Sequence, residues 1–346
     1  MGGRPFVFLA FFRIRPLPRC SSALALVLLL AACAAEPPPA WADAEAGSVQ
    51  RVPVQGLELP QRLAEGAVLT AAWELRSQLP ITGLSAMALD GERLLLGTDQ
   101  GDLLETSCPL GQPLTECAEE WRFDGRLVAR GSPRADLEAL AIRPDGSVVL
   151  GLENMPRLAL LEGEPGDYRI GRLEGAPDLR FLDRNAGPEA VAALPDGRLL
   201  TIPEGAVEPD GRALVLLQDK EGNWQRHWLR LPAADLLPVE ATVAGGHLFV
   251  LLRRFGLLSG WRGEILALPL HALDEPGDTF TPRTIATIRH EPLGDNHEAM
   301  AVRQLPDGSY SLLVASDDNG FALQRRLLLA FTWQPSSGGG MMGGEG

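Results

Sequence analysis

The chain has 346 residues, of which 45% are apolar and 22% charged, with 45 acids against 31 bases and a formal charge of −14. That apolar share excludes wholesale disorder, and the acidic excess argues against a nucleic-acid binder, whose phosphate partner demands cations. With 38 Gly and 28 Pro, the composition favours many tight turns over the long helices of a bundle.

The first segment reads as an address. Arg4, Arg13, Arg15 and Arg19 form a basic leader without acids, and the apolar run 23–32 is too short to span a membrane comfortably. Leu30-Ala31-Ala32-Cys33 then resembles a lipobox, in which Cys33 is lipidated and becomes the mature N-terminus. Cleavage after Ala40-Trp41-Ala42 is the alternative, since small residues fill both required places. The first route removes residues 1–32 and leaves a lipid-anchored protein of the periplasm or outer membrane; the second leaves a secreted one. Residues 33–66, with Pro37-Pro38-Pro39, read as a tether. Export also sorts the cysteines. Cys20 leaves with the leader, and Cys108 and Cys117 are expected to close a disulfide loop around Gly111 and Pro113.

From residue 67 the chain repeats itself. Residues 85–96 (SAMALDGERLLL), 138–152 (EALAIRPDGSVVLGL), 189–202 (EAVAALPDGRLLTI), 240–252 (EATVAGGHLFVLL) and 298–315 (EAMAVRQLPDGSYSLLVA) share one strand–turn–strand grammar. Asp145-Gly146, Asp196-Gly197 and Asp307-Gly308 are hairpin signals. Units of about 50 residues built from hairpins predict an all-β fold, a β-propeller. Five units are visible. A sixth blade is expected from residues 67–79 pairing with the last apolar strand, 327–333, so that 67–334 form one domain and 335–346 a Gly-rich disordered tail.

In a propeller the first strand of each blade lines a narrow channel, which suits the alanines beside each repeated glutamate. Glu138, Glu189, Glu240 and Glu298 are therefore expected to converge near the axis. A second set follows 14 or 15 residues later at Asp99, Glu153, Glu204 and Arg254, displaced by an insertion to Asp317-Asp318-Asn319 in the last unit. Carboxylates meeting in a channel repel, and burial raises the cost of their charge. Arg253, Arg254 and Arg325 can offset part of it. Ca²⁺ is the other answer, a hard ion that suits the oxygens of Glu138, Glu153, Glu189, Glu204, Glu240, Glu298 and Asp318. The competing reading is structural, each glutamate capping its own strand. Other chemistries lack support: there is no Gly-x-Ser-x-Gly elbow and no phosphate-cradling glycine loop. His227, His247, His271 and His290 read as surface or turn residues. His297, beside Glu298 in DNHEAMAV (295–302), is a candidate general acid or base, although adjacent strand residues face opposite sides.

The Glu-Ala starts before Asp-Gly hairpins, Asn296-His297-Glu298-Ala299, and Ser316-Asp317-Asp318-Asn319 followed by Gln324-Arg325 resemble the bacterial phytase-like family, also described by esterase-like activity of phytase. The resemblance covers residues 67–334. It implies an envelope-anchored or secreted propeller that hydrolyses phosphoesters. Under it the carboxylates hold metal, Arg254 and Arg325 meet substrate oxygens, and His297 or a carboxylate such as Asp318 activates water. Ser85 and Arg254 depart from the acidic pattern. A small anionic phosphoester would be repelled by bare carboxylates, so bound Ca²⁺ is the condition for that activity. A calcium-dependent lactonase or carboxylesterase, and a non-catalytic envelope propeller that binds a ligand, are the alternatives. A monomer is expected.

Overall fold

The Asp-Gly turns fold as their residue types demand. Gly146, Gly197 and Gly308 sit at φ 82°, 88° and 80°, open to glycine and strained for other residues. The aspartate before each glycine accepts a backbone N–H two residues on, 2.9 Å from Ser147, 3.2 Å from Arg198 and 2.9 Å from Ser309. The structure is a computed structural model, and it describes residues 48–77, 81, 83–127, 135–153, 156–182, 186–256, 260–289, 293–319 and 324–335. The leader, Cys33, residues 34–47, His290 and residues 336–346 lie outside these.

The chain enters through β1 (Ser48–Pro53), β2 (Gln61–Arg62) and β3 (Val68–Ser77). Blade one is β4 (Leu84–Asp90), β5 (Arg93–Thr98), β6 (Asp102–Ser107) and β7 (Glu120–Arg126). Blade two is β8 (Leu137–Ile142), β9 (Val148–Leu152), β10 (Arg157–Glu162) and β11 (Arg169–Arg172). Blade three is β12 (Ala190–Ala193), β13 (Leu199–Ile202), β14 (Arg212–Gln218) and β15 (Trp224–Arg230). Blade four is β16 (Leu237–Ala244), β17 (His247–Gly256), β18 (Gly260–Pro269) and β20 (Arg283–Arg289), while β19 (Thr279–Phe280) adds in parallel to β15. Blade five is β21 (Asn296–Gln304), β22 (Tyr310–Asp317), β23 (Leu327–Trp333) and, from the other end of the chain, β3.

The inner strands succeed one another around the axis: β4 lies beside β8, β8 beside β12, β12 beside β16, β16 beside β21, and β21 beside β4. The ring therefore closes at five blades. The expected pairing of 67–79 with 327–333 does occur, with Leu328 opposite Trp73 and Ala330 opposite Ala71. It supplies the outer strand of the fifth blade, however, and the described residues form no sixth blade. Closure by a strand from the opposite terminus removes a free edge, which explains why the two chain ends carry matching strands.

The segment 48–66, read as tether, belongs to the fold. β1 pairs with β3 on one side and β7 on the other, linking blades five and one. Val49 is buried, while Arg51 lies 4.7 Å over the Trp73 ring and donates to the Cys117 carbonyl at 2.5 Å. The expected disulfide joins Cys108 to Cys117. Arg303 of β21 donates to the carbonyls of Gly91, Cys108, Pro109 and Gln112, fastening that loop to blade five.

The core lies between blades rather than at the axis. Leu95 and Leu103 meet Leu137 and Leu150; Val149 and Leu158 meet Val191 and Leu199; Val215 meets Val250 and Leu266; Phe249 and Ile285 meet Leu312 and Phe331. His247 is part of this packing, not a surface residue. Its Nδ1 is 2.8 Å from the Tyr310 hydroxyl and its ring stands edge-on to Trp333. His227 stacks on Phe280, whereas His271 is exposed beside Glu275.

Candidate functional site

Backbone register decides which side chains reach the axis. Across blades the pairs Ala86–Gly97, Ala139–Gly151, Ala190–Ile202, Glu240–Leu251 and Ala299–Ala315 are equivalent, each flanking the entry to its hairpin. The space there is small: a Cβ on Gly151 would stand 2.3 Å from the Pro188 carbonyl oxygen. One residue before these pairs stand Ser85, Glu138, Glu189, Val239 and Glu298, four of them at a register shift of the inner strand. Such a bulge turns the extra residue out of the ladder and re-aims it. Two residues after the pairs stand Asp99, Glu153, Glu204, Arg253 and Asp317.

These two sets meet at one end of the channel. Glu138 faces Glu153, Asp136, Glu298 and Asp99; Glu189 faces Glu204; Asp317 faces Glu298 and Asp99. Asp136, two residues before Glu138, adopts φ 52°, an uncommon conformation that aspartate tolerates, and its carboxylate joins the ring. Arg253 is the cation among them. It lies 2.5 Å from Glu298, 3.2 Å from Glu204 and 4.0 Å from Glu189, and donates to the Asn296 Oδ1 at 2.6 Å. The Asn296 amide in turn donates to Glu298 at 2.7 Å. Side-chain exposures of 13% for Glu298, 14% for Glu204 and 20% for Arg253 leave these groups largely buried, with partial contact with solvent.

The electrostatics follow from this crowding. Burial, then the carboxylates of Glu298, Glu153 and Asp136, push Glu138 well above the ordinary range. Burial with Asp136 and Glu204 pushes Glu153 up to about 7. Glu189 and Asp317 are raised by burial and then by Glu204 and Glu298 respectively. Burial also raises Glu298, with Arg253 opposing. For Arg253 burial works against the charge, but Glu298, Glu189 and Glu204 outweigh it and hold the guanidinium protonated. Carboxylates of the blade-two hairpin form the other side of the ring. On that side Asp136, Glu138 and Glu153 each place an oxygen within 4.8 Å of the others. Oxygens sharing one calcium ion lie at most about 5 Å apart, so an all-oxygen donor set at this spacing fits a hard divalent cation.

Several expected residues lie elsewhere. Glu240 occupies the place of the alanines, one register position from the acids. Its carboxylate accepts N–H groups from Ala241 at 2.8 Å, from Met87 at 3.2 Å, and from Met300. Since β16 and β4 are not neighbours, this bond crosses the axis and plugs the channel. Arg254 points away from the ring to exposed Asp235 at 2.5 Å; Arg253 takes the inward position. Asp318 pairs with Arg326 at 3.3 Å, and Asp317 is the acid in the ring. The Arg325 side chain lies 3.8 Å from Asp295. His297 is buried on the other face of β21, against Gly263, with Nε2 on the Leu293 carbonyl at 2.9 Å. Burial holds it at about 4, so it is neutral and outside the ring. Asp136 and Asn296 escaped the repeat pattern, although both stand two residues before a repeated glutamate.

The family model described as phytase-like, esterase-like activity of phytase, matches residues 79–320. Comparison with curated proteins gives no match. Among solved structures the chain is similar to an endo-arabinase from Bacteroides thetaiotaomicron, at 9% identity and TM-score 0.47, covering 72% of this chain and 94% of that one. It is also similar to glutaminyl cyclase from Myxococcus xanthus, at 13% identity and TM-score 0.41, covering 77% and 96%. Virginiamycin B lyase from Staphylococcus aureus is similar at 8% identity and TM-score 0.38, covering 82% and 98%.

Proposed function

The chain belongs to the phytase-like family, and from that premise we propose that it is a calcium-dependent phosphoester hydrolase acting at the open end of its axial channel. The observation that carries the reading is the geometry of Asp136, Glu138 and Glu153, which bring three carboxylate oxygens within 4.8 Å of one another. Those three residues would hold the ion. Bound there, Ca²⁺ supplies the positive charge that draws in an anionic ester and polarises its phosphoryl oxygen. The remaining roles fall to the chain itself. Arg253 fixes Glu298 and Glu204 by direct ion pairs. Glu189, whose proton affinity burial and then Glu204 raise, is assigned to protonate the departing alkoxide as water attacks phosphorus. Glu240 closes the channel behind the ring, so substrate reaches it from one end.

The same reading has the chain exported as a monomer and anchored through lipid on Cys33. The Cys108–Cys117 disulfide supports an oxidising compartment. Cys33→Ser should move the protein from the membrane fraction to the soluble one; unchanged fractionation would exclude the anchor.

The decisive experiment is a panel of phytate, a chromogenic phosphomonoester, a carboxylic ester and a lactone, each with calcium and with chelator. Phosphate release should require calcium, vanish with chelator, and fall on the order of 100-fold in Glu138→Gln. Chelator-insensitive turnover sinks the metal mechanism. Calcium-dependent turnover of the lactone or carboxylic ester alone reassigns the substrate, and calcium binding without any turnover leaves a ligand-binding propeller.

A further inference from the structure

Blade four breaks the ring's pattern twice. Where the other blades place Asp99, Glu153, Glu204 and Asp317, it places Arg253, and where three of them place Glu138, Glu189 and Glu298, it places Val239. The guanidinium stands among the carboxylates as an ion would, contacting Glu298 at 2.5 Å and Glu204 at 3.2 Å, with Glu189 at 4.0 Å. Nη1, which contacts Glu298, also donates to the Asn296 Oδ1 at 2.6 Å and completes a set of oxygens from blades three and five. Arginine stays charged under all relevant conditions and presents several donors in a fixed plane, so it can satisfy such a set permanently.

We infer that Arg253 is a built-in counter-ion that fills the cation position on the Glu189, Glu204 and Glu298 side, so that the ring takes one divalent ion, at Asp136, Glu138 and Glu153, and not two. The inference rests on the metal reading of the ring and adds its stoichiometry. Arg253 is thus a positioning residue. It fixes where metal binds by denying metal the other half of the site, and it leaves the ring asymmetric, with a metal side and an organic-cation side.

The test is calcium chloride alone, titrated calorimetrically into the full folded chain and checked by equilibrium dialysis. The parent protein should bind one calcium per chain, Arg253→Gln two, and Arg253→Lys one. Arg254→Gln, whose side chain faces Asp235 outside the ring, should bind one. One ion in the parent and still one in Arg253→Gln overturns the inference while leaving the metal reading standing. No ion in the parent removes both. Where Arg253→Gln is too unstable to titrate without calcium, its melting temperature should rise with calcium more steeply than the parent's, because a second ion then replaces the lost guanidinium. Equal calcium dependence in the two proteins overturns the inference as well.

Discussion

Two buried titratable side chains, both once candidates for chemistry, show how one position along a strand separates structure from function. Glu240 sits fully enclosed, and burial raises it well above the ordinary range while the N–H groups of Met87, Ala241 and Met300 oppose that rise. Its bonds reach three inner strands, which makes it a tie across the axis. His297 is equally enclosed, and burial lowers it to about 4. A histidine whose folded pKa lies below the unfolded value of about 6.5 binds its proton more readily when unfolded. Its contribution to stability is therefore complete above about pH 6.5 and is lost as pH falls towards 4, by about 3 kcal/mol across the whole window. His297→Gln, which can still donate to the Leu293 carbonyl, should flatten the stability profile between pH 6.5 and 4 in urea titrations. It should leave the pH dependence of any hydrolysis unchanged. A shifted activity profile with an unchanged stability profile would return His297 to the catalytic site.

At the scale of the element, the bulge is what hides the site from sequence. Aligning the repeats on Glu-Ala correctly brings Glu138, Glu189 and Glu298 to the ring, and with them Glu153 and Glu204. In blade four it fails by one residue, because a strand's side chains alternate faces and a single slip exchanges them. The correct count was available. Ser85 precedes Gly91 by the same interval that Val239 precedes Gly245, and both hairpins turn through two residues. Counting from the turn rather than from the glutamate puts Arg253, not Arg254, in line with Asp99. β1 was illegible for a related reason, since one buried valine among Gln50 and Arg51 carries no alternation to detect. Its role is testable. Val49→Asp buries an unpaired carboxylate between β3 and β7 and should cost about 3 kcal/mol in urea unfolding, where a tether residue would change stability by under ~0.5 kcal/mol.

At the scale of the molecule, the five hairpins were legible because each is local, its turn residues lying within a few positions of one another. The number of blades was not, because closure pairs residues near 70 with residues near 330 and no local signal says whether that pairing completes a blade or adds one. Closure matters for the site. The acids come from blades one, two, three and five and the guanidinium from blade four, so the axial charge is a property of the whole ring and bears on the whole ring's stability. An ion that binds only this arrangement stabilises the folded chain by about 2.7 kcal/mol at a hundredfold excess over its dissociation constant. For a domain of this size that corresponds to a rise in melting temperature of about 4–5 °C. Calcium should produce that rise in one cooperative transition, chelator should reverse it, and Glu138→Gln should abolish most of it. A melting temperature indifferent to calcium in the parent protein would mean that burial and protonation alone, as at Glu153 with its pKa of about 7, settle the charge of the ring.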